Sequence, residues 1–101
     1  MSRHANVPVS ASLLKRATGT VKEPGEMFGK RVTVELFASL ERMGYKTDYQ
    51  AVPCQHVVVR VAGASKWAQR YSGARLPQAA KRYERAVSDL ARYVTWEASA
   101  A

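Results

Sequence analysis

The chain has a single cysteine, Cys54, in 101 residues. It cannot form an internal disulfide, which excludes a disulfide-stapled scaffold and fits a reducing compartment. Long apolar runs are missing as well. The longest purely aliphatic one is Val57-Val58-Val59, far short of the roughly 20 residues that cross a bilayer as a helix. Arg3 and His4 have no apolar stretch behind them, so neither a signal peptide nor a membrane partner is expected. No glycine-rich phosphate loop is present, since Gly63 and Gly73 stand alone. Acidic residues are scarce, eight against sixteen Lys and Arg. With 47% apolar and 24% charged residues, what is left is the composition of one small folded domain. The expected setting is the cytoplasm, or a virion if the protein is a phage component.

The formal charge is +8, unevenly spread. Residues 1–31 carry +4, residues 32–59 carry −1, and residues 60–92 carry +6. Two cationic blocks around a near-neutral middle attract polyanions and make that attraction strongly salt-dependent. Arg outnumbers Lys ten to six, and Arg is the better side chain for bidentate contacts with phosphate or carboxylate. The partners this implies are nucleic acid, DNA or RNA, or an acidic protein surface.

Residues 1–29 read as an N-terminal arm, punctuated by Pro8, Gly19, Pro24, Gly25 and Gly29. One helical turn is expected at Leu13-Leu14-Lys15-Arg16-Ala17, capped by Ser10 or Ser12, and a turn at Glu23-Pro24-Gly25-Glu26. Residues 30–101 read as the compact domain. Leu36, Leu40 and Met43 fall at i, i+4, i+7 beside Phe37, which predicts a helix over about Thr33–Met43 with Gly44 at its end. Against it, Arg31-Val32-Thr33-Val34-Glu35 alternates like a strand. Pro53 predicts a turn at Val52-Pro53-Cys54-Gln55. His56–Val61, dense in β-branched residues, is the clearest strand, closed by Gly63. Ser65–Gly73 reads either as a helix or as a third strand. Pro77 opens a long C-terminal helix whose stripe is Ala80, Tyr83, Val87, Leu90 and Val94. The expected fold class is α+β in one small domain. It runs helix, antiparallel hairpin (three strands if Ser65–Gly73 is extended), long C-terminal helix, behind an extended arm.

Catalytic constellations are thin. Cys54 and His56 project to one side of an extended segment, but a thiolate nucleophile also needs an orienting group and oxyanion donors. His56 as a general acid or base beside Lys46 or Arg60 makes a small ribonuclease conceivable. Zinc would need ligand spacing that Cys54, His56 and His4 lack. No catalytic residue, metal ligand or cofactor is assigned, and the protein reads as non-enzymatic. Lys66, Trp67, Arg70, Tyr71 and Arg75 interleave aromatics with cations, the pattern on which bases stack while phosphates are tracked. Trp67 and Tyr71 serve equally as core anchors. Adding Arg60, Lys81, Arg82 and Arg85 completes the candidate contact set for nucleic acid or a partner.

With Ser65–Tyr71 as a strand, the order helix, three strands, basic helix resembles the double-stranded RNA-binding domain and the related HicA-type toxins over about residues 33–96. The likeness lies in the strand Val57-Val58-Val59-Arg60-Val61 and the basic final helix. Arg75-Leu76-Pro77-Gln78-Ala79-Ala80-Lys81 stands where that family opens its helix with a lysine pair, and no site residue is carried over. A compact part of about 70 residues buries only around 60% of its unfolded surface. A homo-oligomer or a place in a larger assembly, with the arm ordered on a neighbour and Trp96 in contact, is therefore expected.

Overall fold

The computed structural model describes residues 11–45 and 48–97. Five strands form one antiparallel sheet: β1 (Ser12–Val21), β2 (Arg31–Tyr45), β3 (Asp48–Val61), β4 (Ala64–Ser72) and β5 (Val94–Trp96). Their order is β4-β3-β2-β1-β5. A 3-10 turn (Gly73–Arg75) and the helix α1 (Gln78–Leu90) link β4 to β5. The expected order of helix, hairpin and long helix is therefore corrected to a mostly β fold with one short helix.

The first correction is Thr33–Met43, which is strand. Val32, Val34 and Leu36 are buried on one face and alternate with Arg31, Thr33 and Glu35 on the other, so the two-residue period governs. Leu40, the middle of the expected helical stripe, is 65% exposed. Pairing with β1 on one side and β3 on the other satisfies the β2 backbone over Arg31–Ala38, which outweighs a marginal local helix. The second correction is Leu13–Ala17, which is also strand. That part of the expected arm is inside the sheet, paired with β2, and the rest of β1 at Gly19–Val21 also pairs with β5. Residues 1–10 lie outside the described residues. The third is Pro53, which stands within β3 opposite Leu40 rather than in a turn. Pairing with β4 stops at Cys54↔Ser72, so the missing N–H falls where β3 has an open flank. The open question at Ser65–Gly73 resolves to β4, joined to β3 through Ala62 and Gly63, both at positive φ. With β2 itself standing where the double-stranded RNA-binding domain would need its first helix, that resemblance does not hold. The turn expected at Glu23-Pro24-Gly25-Glu26 falls two residues later, where the Phe28 N–H donates to the Gly25 carbonyl, 3.1 Å.

α1 lies across one face of the sheet. Ala79, Tyr83 and Ala86 are buried against Val34, Leu36, Val57 and Tyr71, with Val59, Trp67, Val87, Leu90 and Trp96 packed around them. Tyr83, Val87 and Leu90 of the expected stripe pack into the core as expected, joined by Ala79 and Ala86. Ala80 is exposed, the helix ends at Leu90, and Val94 belongs to β5. A second cluster, Val21, Val32 and Val94, extends the core toward β5. Gly19 is required there: a Cβ on it would lie 2.5 Å from the Thr95 carbonyl and 2.6 Å from a Val94 methyl. Trp96 is half-buried and donates its indole N–H to the Val87 carbonyl, 3.0 Å, so it is a core residue of this chain. No described helix is long and apolar enough to cross a membrane.

Candidate nucleic-acid interface

β4 is an edge strand, with β3 on one side only. Five of the nine candidate contact residues lie on it or on the turn that follows. Lys66 sits at the register shift between Val59 and Arg60 and is exposed. Arg70 projects from the face away from α1, opposite His56, and Arg75 is exposed in the 3-10 turn. On the helix side, the Arg82 guanidinium stacks 4.5 Å from the Trp67 ring centroid, which fixes the flank of α1 that faces β4. At 3.6 residues per turn Asp89 continues that flank, Arg85 lies beyond it and Lys81 points away from the sheet. Arg82 therefore flanks β4 on the helix side and Arg70 projects from its other face, with Lys66 on the strand itself and Arg75 in the turn after it.

Few carboxylates oppose them. Residues 49–83 contain no Asp or Glu. Arg85 meets Asp89 at 3.7 Å with both side chains mostly exposed, a pair of little energetic weight. Arg70 reaches Glu41 at 3.4 Å. Glu84 points to the opposite flank, where it pairs with Lys15 of β1 at 3.2 Å beside a depression of about 900 Å³.

Three candidates leave this group. Tyr71 is 4% exposed and presents no ring face to a base. Trp67 is half-buried, with Arg82 over its ring and the core packed against it. Arg60 lies on β3, where its Nε donates to Glu35 at 2.9 Å.

The Cys54–His56 neighbourhood is a closed structural cluster. His56 is wholly buried. Its Nε2 lies 2.8 Å from a Glu41 oxygen and 3.2 Å from Ser39 Oγ, and Ser39 donates to the same Glu41 oxygen at 2.9 Å. Since a carboxylate only accepts, the Nε2–H is given to Glu41. Nδ1 is buried without a partner. Acid and hydroxyl thus share one ring nitrogen, whereas a nucleophile–base–acid relay needs them on opposite nitrogens. No atom of His56 can reach a phosphodiester. Burial pushes the Glu41 carboxyl up, but hydrogen bonds from His56, Ser39 and Cys54 outweigh it and hold the group below the usual carboxylate range. Burial, then Glu41, pushes the Cys54 thiol up, which leaves it an inert, enclosed sulfur. Burial likewise raises Tyr83. Among the described residues, no three of His, Cys, Asp and Glu gather into a metal-sized group.

Sequence reasoning missed Arg16, Glu35, Ser39 and Glu41, which carry the polar networks of the sheet. The alternation Arg31-Val32-Thr33-Val34-Glu35 was the available signal, because as a strand it puts Glu35 on one face with Thr33 and Arg31. The arrangement defines a small one-helix β-sheet protein with a basic edge. Comparisons with protein-family models, curated proteins and solved structures return no match to this chain.

Proposed function

We propose that this is a non-enzymatic nucleic-acid-binding accessory protein that holds a phosphate backbone along the β4 edge. Lys66, Arg70, Arg75, Lys81, Arg82 and Arg85 are the contacting cations. The reading is supported by the run of cations on and after the edge strand β4, within a stretch nearly free of carboxylates. With Tyr71 enclosed and Trp67 capped by Arg82, the edge offers charge rather than a stacking platform. Recognition is then of the backbone, with little preference among base sequences. A cytoplasmic or virion setting, where such polymers are at hand, fits this reading.

The test is binding of labelled DNA and RNA oligonucleotides between about 50 and 200 mM salt. For four to five phosphates neutralised, log K should fall against log salt with a slope of about −4. Reversing the exposed cations together, Lys66→Glu with Arg75→Glu and Lys81→Glu, should abolish binding while leaving the near-UV spectrum intact. Weak, salt-insensitive binding, or full binding by the triple variant, would overturn the reading in favour of an acidic protein partner.

A further inference from the structure

Arg16, Arg31 and Arg60 meet on the sheet face away from α1, around a depression of about 280 Å³ that Thr18, Thr33 and Glu35 also line. Strand register assembles it: Arg16 lies opposite Glu35, Thr18 opposite Thr33, and Thr33 opposite Arg60. The Glu35 side chain is 6% exposed and works as an anchor beneath the arginines. One of its oxygens accepts Arg16 Nε at 3.0 Å and a terminal Arg16 nitrogen at 2.8 Å. The other accepts Arg60 Nε at 2.9 Å. Each guanidinium has five N–H donors in a rigid fork, so both keep donors that Glu35 does not use. The two side chains are 51% and 35% exposed, which leaves those donors open to solvent. Arg31 stands nearby and meets Glu97 at 3.5 Å. Three guanidiniums against two carboxylates leave the depression positive. Neutralising Glu35 would take only one arginine, and the second is held in place with charge to spare.

We propose that this depression binds a phosphate-type oxyanion, with Arg16 and Arg60 as its guanidinium ligands and the Thr18 and Thr33 hydroxyls as further donors. Glu35 acts as a positioning residue that fixes both guanidinium planes, so little ordering remains when the anion arrives. The site is built on β1, β2 and β3 and stands independently of the β4 edge.

The experiment is a titration with inorganic phosphate at constant ionic strength, read from the NMR signals of the arginine Nε–H groups in the full chain. The Arg16 and Arg60 signals should shift saturably, ahead of those of Arg82 and Arg85. Arg60→Lys keeps the charge against Glu35 but removes the fork, and should weaken binding by about tenfold or more. The Lys66→Glu/Arg75→Glu/Lys81→Glu variant should bind phosphate as the parent does, which separates this site from the β4 reading. A nucleoside monophosphate and an oligonucleotide without terminal phosphates then distinguish the source. Shifts with the first alone identify a free phosphate ester, and shifts with both include the internucleotide phosphate. Shifts that follow ionic strength alone, spread over all arginines or fail with all three probes overturn the site.

Discussion

On the face that α1 covers, Val34, Leu36, Val57 and Tyr71 are withdrawn from water by aliphatic and aromatic neighbours. On the opposite face, Glu35 and His56 are withdrawn just as completely, at 5% and 0% exposure, among guanidinium, hydroxyl and carboxylate groups. The first kind of burial is non-directional and scales with apolar area. The second depends on every donor finding its acceptor, because a buried charge left alone is costly. One sheet therefore carries a tolerant face that holds the fold together and a demanding face whose polar groups are fixed in place.

The contrast can be broken most severely on the covered face. Leu36→Ala should cost about 3 kcal/mol through lost contacts and the cavity left beneath α1, measured by urea unfolding. On the other face, Arg16→Ala or Arg60→Ala alone leaves Glu35 one guanidinium, whereas the double variant leaves a buried carboxylate with none. The double should therefore exceed the sum of the singles by about 1 kcal/mol, and additive costs would show that Glu35 is rescued by water. The smallest effect is pH-dependent. Because Glu41 is held below its usual range in the fold, its contribution is present above that range and fades as the pH falls through the folded value. Glu41→Gln should flatten the acid side of the stability profile relative to the parent, and an unchanged slope would remove Glu41 as its source.

Part of this was legible in the sequence. His56–Val61 reads as a strand because its β-branched residues suit a pleated surface, and the helix that follows Pro77 shows in its 3.6-residue spacing. The extent of that helix was not legible. Val94 continues the spacing by coincidence, and only pairing with Val21 takes it into β5. β2 does not fold as the expected helix because Leu36 and Leu40 fit a helical stripe only locally, while pairing with β1 and β3 on both sides, outside any single-segment pattern, decides for strand. The basic block was visible as composition. That part of it lies on an edge strand depends on β4 being last in the sheet, which no local pattern states. Tyr71 and Trp67 illustrate the same limit, since the residues beside an aromatic decide whether its ring is offered to a ligand or spent on packing.

The pairing of β1 with β5 has a consequence for biosynthesis. Among the described strands, β1 is made before the others and β5 after them, so the nascent chain carries an unpartnered β1 flank until β5 is made. Slowing the ribosome upstream of Val94 would prolong the interval in which chaperones, or the same flank on another nascent copy, compete for that strand.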